Sequence, residues 1–437
     1  MSAPPPLRIG VAGLGTVGAG LVRLLQANAD VVAARAGRPI AVAAVSARDR
    51  GRDRGGLDLG NARWHDAPAA LAAEPGLDAV VELIGGSEGP ARRLVEAALR
   101  AGRPVVTANK ALLAVHGAER AEMAAAKGVP LAFEAAVAGG IPAIKALREG
   151  LAANRIGRVA GILNGTCNYI LTVMREQRRD FAEVLAEAQR LGYAEADPSF
   201  DVDGVDAAHK LAILAALAFG RPVDFAAVHV EGIRDVSALD IALAEELGYR
   251  IKLLGIASRE GEGGVSARVH PCMVPASAPI ARVDGVFNAV VAEGNFAGRL
   301  VLEGRGAGAG PTASAVAADL IDLARGRHAP VWGAEASLDG GAAAESLPME
   351  RHRGAYYLRL MVLDRPGVIA DVTGILRDHD ISLEAMLQRG RAPAGEAVPV
   401  VLTTHDCEEA AMRAALGRIA ALDSVLERPA LIRIEPM

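Results

Sequence analysis

The sequence predicts an α/β protein in three parts: a doubly wound parallel α/β unit, an α+β middle unit and a ferredoxin-like end. Strand and helix patterns alternate up to about residue 135, which argues a parallel sheet with helices on its faces. After a Gly/Ala-rich polar stretch at 335–354, the segment 355–437 follows a βαββαβ order. The expected boundaries are 1–135, 136–305, a linker at 331–354, and 355–437, with about 306–330 returning to complete the first unit.

In chain order, residues 7–12 read as a buried strand, and helical spacing follows at Leu21, Val22, Leu24 and Leu25. Strands are expected at 40–45, 78–84 and 104–107, with a helix through Leu94, Val95, Ala98 and Leu99. The middle unit carries expected helices at about 141–152, 181–191 and 205–219. The segment 294–310 is glycine-rich, and a small-residue helix is expected from Ala313 to about Arg325. In the last unit, strands at 356–363, 381–388, 397–404 and 430–435 enclose helices at 368–379 and 407–421.

The composition narrows the function classes. At 437 residues the chain is too long for one ordinary domain, and 51% apolar residues suffice for a sizeable core. Net charge is −5 with the basic residues dispersed, and aromatics are only 3%, which argues against nucleic acid as a partner. Cys167, Cys272 and Cys407 are too scattered for a disulfide framework or a metal pattern, as suits a reducing compartment. The N-terminus lacks a basic-then-apolar signal segment, and apolar runs such as 211–219 are too short for a bilayer. A soluble, cytoplasmic protein with no membrane partner is expected.

Gly13-x-Gly15-x-x-Gly18 lies between an expected strand and an expected helix, at the start of a βαβ pattern. Glycines there allow a tight turn and close backbone approach to a pyrophosphate, with the helix N-terminus facing its charge. Gly13, Leu14, Gly15, Thr16, Val17 and Gly18 are therefore candidate cofactor contacts in a Rossmann-type domain. The second strand ends Val45-Ser46-Ala47-Arg48, with no acid for a ribose 2′-hydroxyl and with Arg50, Arg52 and Arg54 nearby. Arg48 could pair with a 2′-phosphate, or the segment could be a solvated basic loop; the reading favours NADP and leaves NAD open.

The segment 192–210 places Glu195, Asp197, Asp201, Asp203 and Asp206 ahead of Lys210. Of 47 basic residues only Lys110, Lys127, Lys145, Lys210 and Lys252 are lysine, and lysine, unlike arginine, can lose its proton in a tuned site. Asp206 and Lys210 stand i, i+4 on an expected helix and share a face. Such carboxylates can hold a substrate ammonium, and Lys210 can move a proton; the same spacing also fits a surface salt bridge. Lys110 follows a strand end where ligands of parallel sheets bind, though a lysine there can also snorkel over the sheet.

The motifs together resemble homoserine dehydrogenases with a C-terminal ACT domain. They are Gly13-Leu-Gly-Thr-Val-Gly18, Thr107-Ala-Asn-Lys-Ala-Leu112, Phe133-Glu-Ala-Ala-Val-Ala-Gly-Gly-Ile-Pro142, Asn164-Gly-Thr-Cys-Asn-Tyr-Ile170, Gly192-Tyr-Ala-Glu-Ala-Asp-Pro198, Asp206-Ala-Ala-His-Lys210 and Gly306-Ala-Gly-Ala-Gly-Pro-Thr-Ala-Ser314. The resemblance spans about 7–330 for the enzyme and 355–437 for the ACT unit.

It implies reversible hydride transfer between L-homoserine and L-aspartate 4-semialdehyde with NAD(P), in a middle domain that also dimerises. The proton-transfer lysine falls on Lys210, with Lys110 as the alternative donor at the cofactor–substrate junction. Substrate binding falls on Glu195, Asp206, Gly192 and Thr166, and further cofactor contacts on Gly85 and Gly310. A monovalent cation, sodium in the family, is held at Glu134, Val137, Gly139 and Ile141.

The resemblance implies an amino-acid effector at the turn Asp364-Arg365-Pro366-Gly367, L-threonine first, although such a unit can serve assembly alone. A homodimer or homotetramer is expected. Cys167 could suggest a semialdehyde dehydrogenase of the thioester type, but no histidine lies close in sequence, and it reads as a packing residue. The alternatives are a reductase of another amino-acid semialdehyde and a non-catalytic amino-acid sensor.

Overall fold

The computed structural model describes residues 4–261, 264–334, 345–389 and 396–437. The chain begins with β1 (Leu7–Ala12), α1 (Thr16–Ala27), α2 (Ala29–Ala36), β2 (Ile40–Ser46), β3 (Arg63–His65) and β4 (Ala79–Glu82). It continues through α3 (Pro90–Arg100), β5 (Val105–Thr107), α4 (Lys110–Lys127) and β6 (Leu131–Ala132). These strands form one parallel sheet in the order β3-β2-β1-β4-β5-β6. β4 and β5 are buried at every position, which is why Ala79-Val80-Val81 and Val105-Val106 read as apolar runs rather than alternating ones, each closed by a buried polar residue, Glu82 or Thr107. The strand order reverses between β1 and β4, so a crevice opens there at the C-terminal ends of the strands.

The middle unit contains α5 (Ala143–Lys145), β7 (Ile156–Ile162), α6 (Gly165–Gln177), α7 (Phe181–Arg190), α8 (Ser199–Val202) and α9 (Val205–Phe219). β8 (His229–Val230), α10 (Ala238–Glu246), β9 (Tyr249–Glu260), β10 (Gly264–Pro275), β11 (Phe287–Gly294) and β12 (Gly298–Arg305) follow. α9 is buried at every position from Asp206 to Phe219, so any charge on it must find a partner inside the protein. α11 (Ala309–Ala324) then returns to the first unit, where Ala313, Val316, Ala317 and Leu320 join the core beside Leu7, Ile9 and Val11.

The last unit is β13 (Arg353–Leu363), α12 (Val368–Asp378), β14 (Leu383–Gln388), β15 (Ala397–Thr404), β16 (Cys407–Glu408), α13 (Glu409–Ala420) and β17 (Ala430–Ile434). This is the expected βαββαβ order with the two-residue β16 added. Its sheet is not separate: β17 pairs parallel to β10, so the path β12-β11-β7-β9-β10-β17-β13-β15-β14 runs through both units.

Three expectations change. The helix expected at 141–152 is the short α5 followed by a wider π-type turn over Ala146–Gly150, with the Leu151 amide bonded to the Ala146 carbonyl. α11 starts four residues before Ala313, because Gly308 takes φ +119° at its N-cap and Pro311 is tolerated in a first turn that needs no amide donor. Of the expected linker, 335–344 lie outside the described residues, and 345–354 are tied down: Val265 bonds to Glu345 and Leu347, and β13 already starts at Arg353.

The junction is also held by buried charge. Asp240 is fully buried and accepts from Arg359 Nε at 2.7 Å, Arg359 Nη2 at 3.1 Å and the Tyr357 hydroxyl at 3.0 Å. Asp240→Ala would leave the Arg359 guanidinium buried without a counter-charge, at a cost of about 3 kcal/mol. Urea unfolding at pH 7 is expected to show the midpoint moving down accordingly, and Leu239→Ala on the exposed face of α10 is expected to leave it nearly unchanged.

Candidate active site

Three ionised side chains meet at the mouth of the crevice. Lys210 Nζ lies 2.6 Å from Asp206 Oδ2, and Lys110 Nζ lies 2.9 Å from Asp206 Oδ1. α9 supplies Asp206 and Lys210 one turn apart. Lys110 comes from the other unit, as the first residue of α4. Asn109 caps that helix by accepting from the Leu112 amide at 3.0 Å, which sets where the Lys110 side chain starts.

Asn164 completes the cluster. It caps α6 through the Cys167 amide at 2.8 Å, and its Nδ2 donates to both Asp206 Oδ2 and Asp201 Oδ1 at 2.8 Å. Asp201 reaches Asp206 through Asn164. Lys210 Nζ has a second acceptor, the Leu163 carbonyl at 2.7 Å. Asn164 was not among the expected site residues; its place just ahead of a helix is the signal that marks it as a cap.

Burial alone would raise the pKa of Asp206, but Lys210 first and Lys110 second hold the carboxyl well below its ordinary range. Burial pushes the Lys210 ammonium below its ordinary value, Lys110 adds to that, and Asp206 opposes it. Asp201 is pushed up, chiefly by burial. His209 is pushed down by burial and packs between Phe200 and Phe225. Cys167 is fully buried, donates to the Asp201 carbonyl at 3.2 Å, and burial holds its thiol well above the ordinary range, so it is a poor nucleophile.

The other expected substrate residues stand on the neighbouring turn. Thr166 Oγ1 donates to the Tyr193 carbonyl at 2.8 Å, and Gly192 takes φ +77° there. Glu195 is exposed, and its carboxylate has no polar partner among the described residues. Asp197 bonds the Ser199 amide and Asp203 pairs with Arg234, which makes both of them turn and anchoring residues.

The glycine loop fits a dinucleotide. A Cβ on Gly13 would stand 2.4 Å from the Leu83 carbonyl oxygen, and one on Gly18 1.9 Å from that of Gly13, so neither position admits a side chain. Gly15, between Leu14 and Thr16, has no neighbour within 4 Å of its Cβ position and is open to a ligand ahead of α1, whose first residues are Thr16 and Val17. Gly85 and Gly310 are likewise open. Arg48 is exposed. Arg54, not Arg48, reaches back to the Leu14 carbonyl at 3.2 Å, and Arg50 and Arg54 lie over the Trp64 ring.

In the expected cation segment, Ala138 (φ +55°) and Gly139 (φ +44°) turn the chain sharply. Val137 and Gly139 are buried, and their carbonyls accept no hydrogen bond from the described residues, whereas the Ile141 carbonyl already accepts from Ala143. The Glu134 carboxylate accepts from the Ile144 and Lys145 amides, and burial, then Asp319, pushes it up to about 7.

A doubly wound sheet with an open glycine loop, beside an aspartate held by two lysines, defines a dinucleotide-dependent oxidoreductase with a site for a charged small molecule. Comparison with known proteins narrows this. Residues 13–134 match the homoserine dehydrogenase NAD-binding domain, 142–321 the homoserine dehydrogenase domain, and 356–423 the ACT domain. The chain is 47% identical over 436 residues to homoserine dehydrogenase of Pseudomonas aeruginosa and 45% identical over 436 residues to that of Neisseria gonorrhoeae, covering 99% of each pair. Its structure is similar to a homoserine dehydrogenase from Thiobacillus denitrificans, with TM-score 0.89, 49% identity and 99% of both chains covered. A hyperthermophilic archaeal homoserine dehydrogenase in complex with NADPH is a more distant neighbour, with TM-score 0.62, 27% identity, and 74% of this chain and 99% of that one covered. The chain belongs to the homoserine dehydrogenase family.

Folding lowers the pKa of Asp206, so its stabilisation is full above the usual 3.8 and fades as pH falls below it. Asp206→Asn, which strips the counter-charge from two ammoniums, is expected to cost about 3 kcal/mol at pH 7. The gap between its urea midpoint and the wild type's should narrow as the pH is taken below 3.8.

Proposed function

We propose that the protein interconverts L-homoserine and L-aspartate 4-semialdehyde with NAD(P). The observation that carries this reading is Asp206 held between Lys210 and Lys110, one from each unit, beside the open glycine loop. A dinucleotide held at the glycine loop would supply or receive the hydride. In reduction, Lys210 as an ammonium protonates the developing alkoxide; in oxidation, neutral Lys210 accepts the hydroxyl proton. Its lowered pKa makes the neutral form more accessible. Asp206 and Glu195 hold the α-ammonium and fix the reacting carbon's distance from the hydride. Thr166 and Gly192 border the same space. Lys110 as donor is the second reading, favoured by its greater exposure, 35% against 10% for Lys210.

NADP is the favoured cofactor, with NAD as alternative, because Arg48 is exposed at the end of β2 and available to a 2′-phosphate. The Val137 and Gly139 carbonyls, with Glu134 and Ile141, form an all-oxygen set that suits a hard monovalent cation such as sodium. L-Threonine is proposed as effector at the Pro366-Gly367 turn, where Gly367 takes φ +98° ahead of α12. A homodimer or homotetramer is supported by two sheet edges, β12 and β14, that pair with no further strand among the described residues, the latter with Met386 52% exposed. No described helix is long and apolar enough to cross a membrane; a cytoplasmic location is proposed.

Homoserine oxidation, followed by reduced-dinucleotide absorbance with NAD and NADP separately, tests the activity. Absence of homoserine-dependent reduction with both would overturn it. Lys210→Ala is expected to lower kcat by about 10²- to 10⁴-fold. kcat/KM for oxidation should rise with pH along a limb below 10.5, and Asp206→Asn should move that limb lower, since Asp206 opposes deprotonation of Lys210. A Lys210→Ala limb unchanged in position would assign the proton to Lys110. Threonine titrated into the full chain is expected to inhibit; no inhibition at millimolar threonine would leave the ACT unit to assembly.

A further inference from the structure

We propose that Glu82 and Thr107 form a positioning pair that holds the dinucleotide-facing loop and Lys110 in register. Both are 0% exposed, and they are paired neighbours at the last positions of β4 and β5, on the edge where the crevice opens. No cation pairs with the Glu82 carboxylate among the described residues. A buried carboxylate without a counter-charge is costly unless its lone pairs are used, and here they tie separate loops.

Glu82 Oε1 accepts from the Ile84 amide at 2.7 Å and the Gly85 amide at 3.0 Å. Oε2 accepts from the Thr107 hydroxyl at 2.6 Å. Thr107 Oγ1 in turn accepts from the Asn109 amide at 3.0 Å, and Asn109 Nδ2 donates back to the Gly86 carbonyl at 2.8 Å. The ring of bonds therefore closes on itself: Glu82, the 84–86 loop, Asn109, Thr107. Gly13 seals one side, since its Cβ position lies against Leu83 and Ile84, and Lys110 continues from Asn109 to Asp206.

The two arms have different consequences. The Oε1 arm shapes Gly85 and Gly86, both at positive φ, the first with open space where a ligand would approach. The Oε2 arm, through Thr107, sets the start of α4 and hence the reach of Lys110. Glu82, at the head of both arms, thus governs dinucleotide affinity through Oε1, whereas Thr107 acts on turnover alone.

This inference rests on the activity proposed above, so one arm is read without turnover. Glu82→Gln replaces a charged acceptor by a neutral one, and reduced-dinucleotide binding, followed by its fluorescence without substrate, should weaken about fivefold. Thr107→Val should lower kcat about tenfold while dinucleotide affinity changes less than about threefold, and Thr107→Ser, which keeps the hydroxyl, should restore kcat. Unchanged binding in folded Glu82→Gln, or normal kcat in folded Thr107→Val, would overturn the pair. So would Thr107→Ser failing to rescue, because that would make the role one of packing. A wild type that binds dinucleotide but does not oxidise homoserine would instead sink the activity and leave the Glu82 binding result standing.

Discussion

Asp206 is the charge on which the site depends. It is buried on α9, a helix that is wholly apolar from Leu211 to Phe219, and burying a lone carboxylate there would be prohibitive. Two ammoniums and the Asn164 amide meet it instead. Each arrives from a different part of the chain: Lys210 from the next turn of α9, Lys110 from the parallel unit, Asn164 from the start of α6. Satisfying one buried acid therefore ties the two units together across the crevice.

The same need to pair buried charge extends to the C-terminal unit. Arg433 on β17 bonds to Glu409 and to Glu231, and the Tyr356 hydroxyl shares Glu409. Glu231 belongs to a short segment whose next residue, Gly232, lies so close to α8 that a Cβ would stand 2.2 Å from the Val202 carbonyl oxygen. Ile233 bonds that same carbonyl, and Arg234 pairs with Asp203, three residues before Asp206. Backbone and ion pairs thus run without a break from the ACT unit to the helix entry that carries the site.

Much of the fold was readable because it rests on local periodicity. The buried parallel strands, the glycine turn and the βαββαβ order all follow from spacing along the chain. The failures are equally physical. The 141–152 helix has apolar spacing yet gives way to a π-type turn over Ala146–Gly150, and its first-turn Ile144 and Lys145 amides are capped by the Glu134 carboxylate from outside the helix, which spacing does not reveal. The residues expected to form a linker look solvent-like in composition, but 345–347 pair with Val265 at the sheet edge, a contact no local pattern announces. In the site, Asp206 and Lys210 were readable as an i, i+4 pair. Glu82 was hidden at the end of an apolar strand, where an acid looks routine.

The sequence by itself determined the element types, the dinucleotide loop, the scarce lysines and the family, because each is written in residues close together along the chain. Only the tertiary structure decided which acid faces which amine. Asp206 outranks Asp201 because it alone is buried within reach of both Lys210 and Lys110. Lys110 and Lys210 lie a hundred residues apart in sequence and share one carboxylate. That pairing is a product of desolvation, which exists only once the two units have closed on each other.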